Sequence, residues 1–294
     1  MGTTNKHILV PIDFSEVSLN VLRHSVYTAK IIGAKITMLH VIETYSSNSS
    51  ISKEIGENNN QDAIKRVVQE KFDELVEKYK NEGIDFNIII SEGKIYKKIT
   101  DVAEEIDATG IFMATSGASG FEKIVGTNAL KVAKSAKCLV TTIRGTEDVT
   151  KYGYKNILLP LDLSKETREK VKVAIETAQQ FGSKIRIISV TTSKDEFIVN
   201  KLRAQLKQVT GLVTEQGINA TSKLVEGANI AKAVLEYAHE IEADSIFIMT
   251  QQELGWVDQI IGSAAQQIMN HSEIPIISIR PADRKDLTSF VKPY

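Results

Sequence analysis

The chain repeats itself, and that repeat limits its fold more than any other feature. Ile8-Leu9-Val10-Pro11-Ile12-Asp13-Phe14-Ser15 returns as Ile157-Leu158-Leu159-Pro160-Leu161-Asp162-Leu163-Ser164, an offset of 149 residues that persists through Gly33 and Gly182 to Val41 and Val190. Farther along, Ala103-Glu104-Glu105-Ile106-Asp107-Ala108 matches Ala238-His239-Glu240-Ile241-Glu242-Ala243 at an offset of 135, and Gly126-Thr127 matches Gly262-Ser263 at 136. Whatever one copy folds into, the other must be able to fold into as well. The chain has 294 residues, 42% of them hydrophobic and 25% charged, so each copy can build a core of ordinary domain size. The boundaries read from this pattern are a first domain over 1–144, a connector over 145–154, a second domain over 155–281 and a polar tail over 282–294. The shrinking offset places the first copy's surplus between Thr44 and Gln61, a polar, turn-rich stretch without apolar period, which is expected to form a surface loop.

Within each copy, short β-branched runs alternate with helix-length amphipathic stretches. In the first copy the runs are His7 to Ile12, Lys35 to Ile42, Asp85 to Ser91, Thr109 to Thr115 and Cys138 to Ile143. Runs such as Ile88-Ile89-Ile90 and Ile111-Phe112-Met113 are apolar on consecutive positions. Such strands suit a sheet covered on both faces, and helix-length crossovers make neighbouring strands parallel. The expectation is an α/β chain of two tandem, doubly wound, five-stranded parallel sheets of Rossmann-like type.

Composition excludes several classes of partner. Lys plus Arg is 36 against 37 for Asp plus Glu, and a net charge of -1 generates no field that would gather nucleic acid or an anionic membrane. No apolar run approaches the roughly 20 residues of a membrane span, and Met1 to Lys6 is polar rather than a secretion signal. A single cysteine, Cys138, fits a reducing compartment and reads as a buried structural thiol. The expected location is cytoplasmic.

Open parallel sheets bind ligands beyond the carboxyl ends of their strands, where strand order reverses. Strand one ends at Pro11-Ile12-Asp13-Phe14-Ser15; the Asp13 carboxylate can accept hydrogen bonds from ribose hydroxyls, while the plainer reading makes Asp13 and Ser15 helix caps, which accounts for Ser15 better than for Asp13. Strand four runs into Ala114-Thr115-Ser116-Gly117-Ala118-Ser119-Gly120, and Gly126-Thr127-Asn128 then opens a helix over Ala129 to Ser135. A small-residue loop feeding a helix N-terminus can hold phosphate through backbone N–H groups and the helix dipole, or it can be an ordinary turn and cap. The second copy has Met249-Thr250-Gln251-Gln252-Glu253-Leu254-Gly255-Trp256 before Gly262-Ser263, a bulkier, acidic loop poorly suited to polyphosphate. His7, His24, His40, His239 and His271 lack metal-ligand spacing and read as helix-surface or strand-end residues, no Cys/His pair stands out, and neither metal nor catalytic residues are assigned. Neither a Walker-type nor a Gly-x-Gly-x-x-Gly motif follows the first strand.

These residues resemble the universal stress protein family. The likeness rests on Pro-x-Asp-x-Ser after strand one, on His40-Val41-Ile42 closing strand two, and on the stretches Gly93 to Thr115 and Gly126 to Ile143. The resemblance implies an adenine-nucleotide alpha hydrolase-like fold and an intramolecular pseudo-dimer in which Cys138 to Ile143 pairs with Ile276 to Arg280, with a further homodimer open. It implies that Asp13 faces a ribose, Pro11 and the backbone of Val41 an adenine, and Gly117, Gly126, Thr127 and Asn128 the phosphates. Asp162, Val190, Gly262 and Ser263 are the second copy's counterparts. ATP-binding members carry Gly-x2-Gly-x9-Gly-Ser/Thr; here the first copy has Ala114, Gly117, an eight-residue spacer and Gly126-Thr127, and the second has Met249, Gln252, nine residues and Gly262-Ser263. The ligand so implied is ATP or AMP in the first copy, with magnesium if ATP. Three readings of function stand side by side: a stress-response protein that binds ligand or a protein partner and signals, a weak ATP hydrolase, and a scaffold that has lost nucleotide in both copies.

Overall fold

The structure, a computed structural model, describes residues 6–43, 61–115, 125–144, 153–164, 167–227, 229–250 and 262–280. The chain divides into two compact units, residues 1–132 with 140–153, and residues 133–139 with 154–294. The stretch 44–60, Gly117, the bulky loop 251–261, most of the connector and the C-terminal tail lie outside the described residues.

The first repeat, called the first unit below although residues 133–139 cluster with the second, runs β1 (His7–Pro11), α1 (Glu16–Ile32), β2 (Lys35–Ile42), α2 (Gln61–Tyr79), β3 (Phe86–Glu92), α3 (Ile95–Glu105), β4 (Gly110–Ala114), α4 (Thr127–Ser135) and β5 (Leu139–Ile143). Its strands lie in the order β3-β2-β1-β4-β5. β1 pairs in parallel with β2, Ile8 opposite Ile36, and with β4, Leu9 opposite Ile111, while β2 pairs in parallel with β3. Strand order therefore reverses between β1 and β4.

The second unit repeats the plan with β6 (Asn156–Leu161), α5 (Thr167–Phe181), β7 (Lys184–Thr191), α6 (Glu196–Glu215), β8 (Ala220–Glu226), α7 (Ile230–Glu240), β9 (Ser245–Met249), α8 (Ser263–His271) and β10 (Ile276–Ile279). Here the order is β10-β9-β6-β7-β8, with β6 parallel to both β7 and β9. The doubly wound parallel architecture expected from the alternating runs is present twice.

Burial explains why these runs become strands. Ile8, Leu9 and Val10 are each at most 1% exposed, as are Ile157, Leu158 and Leu159, so consecutive apolar residues are covered on both faces of the sheet. Helix α1 begins at the Ser15 cap, whose Oγ accepts from the Ser18 N–H, and ends at Gly33 in the left-handed conformation. Each unit has its own clasp at the amino ends of its strands. The His7 Nδ1 meets the Ile106 carbonyl, and in the second unit Asn156 Nδ2 donates to the Ile241 carbonyl. Thr109 Oγ1 accepts from the His7 N–H, as the Asp244 carboxylate does from the Asn156 N–H. Burial pushes the Asp244 carboxyl up, partly offset by those backbone donors.

Two expectations are corrected. His24 lies 2% exposed inside the first unit instead of on the helix surface, because its side of α1 packs over β4, where its ring meets Phe112. Cys138 is half-buried at the start of β5 rather than fully enclosed. Among the described residues, no helix is long and apolar enough to cross a membrane.

Candidate functional site

A cleft of about 330 Å³ opens at the carboxyl ends of β1 and β4, where strand order reverses. That volume lies at the lower end of the range for small-molecule pockets. Of the first-copy residues singled out in the sequence, Pro11, Asp13, Val41, Gly126, Thr127 and Asn128 all line it. Three segments far apart in sequence are thus brought to one place by the parallel sheet.

The turn after β1 fixes the carboxylate. Asp13 Oδ1 accepts from the Ser15 N–H at 3.0 Å and from the Ser15 Oγ at 2.5 Å. Between them Phe14 takes the left-handed conformation, φ 62°, an arrangement that costs a non-glycine residue about 1–2 kcal/mol. Aromatic packing offsets it: the Phe14 ring lies 5.3 Å from His40 and 5.0 Å from Phe72, centroid to centroid. Ser15 therefore serves both as cap of α1 and as a holder of Asp13, so the capping and ligand readings of this turn are not exclusive.

The opposite wall comes from α4. Gly126 sits against the end of β4: its N–H donates to the Thr115 carbonyl at 2.5 Å, and a Cβ at this position would stand 3.1 Å from that oxygen. Helix α4 starts at Thr127, two residues before the expected start. The Gly126 N–H is thus already spent, and the N–H groups presented by the first turn belong to Thr127, Asn128 and Ala129, which have no partner within the helix. The helix dipole makes this end of the cleft favourable to anions.

Sequence reasoning missed His40, Ser18, Ile95 and Ile99, which also line the cleft. His40 had signalled itself only as a strand-end histidine. It is 8% exposed and its Nδ1 lies 2.7 Å from the Ile12 carbonyl; burial lowers its pKa, against the opposing pull of that carbonyl and of Asp13. Ile95 and Ile99, on the first turns of α3, add an apolar wall. Asp13 is the sole carboxylate of the described lining, which includes no lysine or arginine.

The second unit places Asp162 after β6, Val190 near the end of β7 and Gly262-Ser263 at the start of α8, all at the carboxyl end of its own sheet. The Asp162 turn repeats that of Asp13: Oδ1 accepts from the Ser164 N–H at 3.1 Å and the Ser164 Oγ at 2.5 Å, and additionally from Thr167 Oγ1 at 3.1 Å. The surroundings differ. Ser189 replaces His40, with a buried Oγ that has no hydrogen-bond partner among the described residues, and Gln205 Nε2 donates to the Asp162 carbonyl. Among the described residues no group of three or more His, Cys, Asp or Glu side chains could hold a metal ion.

Comparison with known proteins decides the family. The model of the universal stress protein family matches residues 4–144 and again 153–280. The chain belongs to the universal stress protein family. Within that family, a universal stress protein of Methanocaldococcus jannaschii is 28% identical over 141 residues, which cover 43% of this chain and 82% of the relative. The crystal structure of a universal stress protein from Archaeoglobus fulgidus is similar along the tandem, with a TM-score of 0.75 and 25% identity over 94% of this chain and 97% of the other. A functionally unknown Pseudomonas aeruginosa protein shares the fold, with a TM-score of 0.70 at 14% identity over 95% of this chain and 93% of its own.

Proposed function

We propose that the first unit binds an adenine nucleotide, ATP or AMP, and that its occupancy is a signal passed to a protein partner in a stress response rather than a step in rapid turnover. The observation that carries this reading is the β1/β4 cleft, in which one carboxylate, apolar walls and the start of a helix converge. Asp13 would accept the ribose hydroxyls, Pro11 and the Val41 backbone would flank the base, and the first turn of α4, with Gly117, would receive phosphate. On this reading ATP brings its own magnesium, the domains are 1–144 and 155–281, and the protein works in the cytoplasm.

The second unit's Asp162, Val190, Gly262 and Ser263 form a poorer version of the site. In support stand the Gln205 donation to the Asp162 carbonyl and, in the sequence, Met249 and Gln252 at the places where the phosphate-binding pattern has glycine.

Ligand binding to the folded state raises the melting temperature by mass action. ATP, ADP and AMP titrated with magnesium are expected to stabilise the protein, and Asp13→Ala to abolish the response. Phosphate release from ATP should stay at background. No shift at millimolar nucleotide would sink the binding reading, and turnover lost in Asp13→Ala would replace signalling with hydrolysis.

A further inference from the structure

One side chain holds the residues on both sides of Asp13. Ile12, before it, accepts from His40 Nδ1 through its carbonyl at 2.7 Å; a carbonyl only accepts, so Nδ1 carries the ring proton in this contact. Phe14, after it, packs its ring 5.3 Å from that of His40 and 5.0 Å from that of fully buried Phe72. Phe14 is also the strained residue of the turn, at φ 62°. An aromatic residue persists in the left-handed region only where its surroundings enforce it, and such residues gather at ligand sites.

The second unit shows the same turn without these contacts. Ser189 stands in the place of His40, Leu163 in that of Phe14 and, counted from Gly83 and Gly217, Leu206 in that of Phe72. Ser189 Oγ is buried without a hydrogen-bond partner among the described residues, so it makes no bond like that of His40 to Ile12. Leu163 stays outside the left-handed region and is 38% exposed. Asp162 still accepts from the Ser164 N–H, as Asp13 does from that of Ser15. The carboxylate–serine contact thus forms on either backbone, and the left-handed residue belongs to the copy that has the histidine.

We propose that His40 is a positioning residue of the first unit's cleft: it holds both chain neighbours of Asp13, keeps Phe14 in the left-handed conformation and so fixes the carboxylate where a ligand's hydroxyls meet it. Without the histidine the turn relaxes to negative φ, as at Leu163, and Asp13 shifts relative to the first turn of α4 across the cleft. The ligand part of the proposal rests on the proposed nucleotide reading of the first unit; the conformational part does not.

Crystal structures and ATP titrations of full-length variants test it, the titrations run well below each melting temperature so that all the protein is folded. In His40→Ser, which installs the second unit's residue, Phe14 is expected to move to negative φ and ATP to bind about tenfold more weakly. His40→Asn keeps a donor near the Nδ1 position but loses the ring, so its affinity should fall between those of wild type and His40→Ser; it also stands in if the serine variant does not fold. In a Phe14→Gly background positive φ carries no steric penalty, and there His40→Ser should weaken binding by about threefold or less. A role in overall stability alone predicts unchanged affinity in folded protein and no rescue by Phe14→Gly. Phe14 at positive φ in both His40 variants, or wild-type affinity in His40→Ser, overturns the positioning role. Equal losses from His40→Ser in the wild-type and Phe14→Gly backgrounds overturn it as well. If the wild type binds no ATP, the proposed function fails while the Phe14 conformation in the variants still decides the role of His40.

Discussion

At the scale of single residues, His40 and Ser189 carry the clearest consequences. His40 is enclosed, and its folded pKa lies below the ordinary 6.5. A group that binds its proton more weakly when folded contributes stability that is full above 6.5 and drains away as the pH falls through the folded value. His7 has the same sign for the same leading cause, burial. Stability of the first unit is therefore expected to decline on acidification below about 6.5, and His40→Ser should flatten part of that slope in denaturant titrations repeated across pH. Ser189 presents the opposite case, a buried hydroxyl with no hydrogen-bond partner among the described residues. Removing such an oxygen costs nothing in lost bonds, so Ser189→Ala should be neutral or stabilising by up to about 1 kcal/mol, whereas the same change at hydrogen-bonded Ser25 should destabilise.

At the scale of elements, the junction of β4 with α4 sets the geometry of the cleft. Gly126 approaches the Thr115 carbonyl too closely for a side chain to fit without movement of the strand end. Gly126→Ala is expected to cost about 1–2 kcal/mol and to weaken nucleotide binding by displacing the first turn of α4; denaturation and titration of the same variant check both. The strands were legible because the repeat states each signal twice, and their bounds moved by at most a residue or two. The carboxyl-end residues were legible because parallel sheets put chemistry there. The burial of Lys170 was not: Thr-Arg-Glu-Lys-Val-Lys reads as a solvated first turn, and only the packing of α5 puts one of those lysines inside, at 5% exposure. The bond from the Gly126 N–H to the Thr115 carbonyl was not legible for a similar reason, since it joins residues eleven positions apart.

At the scale of the whole molecule, duplication supplied two units of one fold and sequence divergence gave them different interiors at the corresponding place. The first retains a carboxylate that lines an open cleft together with His40; in the second, Ser164 and Thr167 donate to the equivalent carboxylate and Gln205 to the Asp162 backbone carbonyl. A tandem chain can in this way keep one site for ligand and give the other over to structure. The central claim is that nucleotide occupies the first unit. Equilibrium dialysis of radiolabelled ATP against wild type, Asp13→Asn and Asp162→Asn measures it directly. One ATP per chain is expected for wild type and Asp162→Asn, and none for Asp13→Asn; undiminished binding by Asp13→Asn would contradict the account.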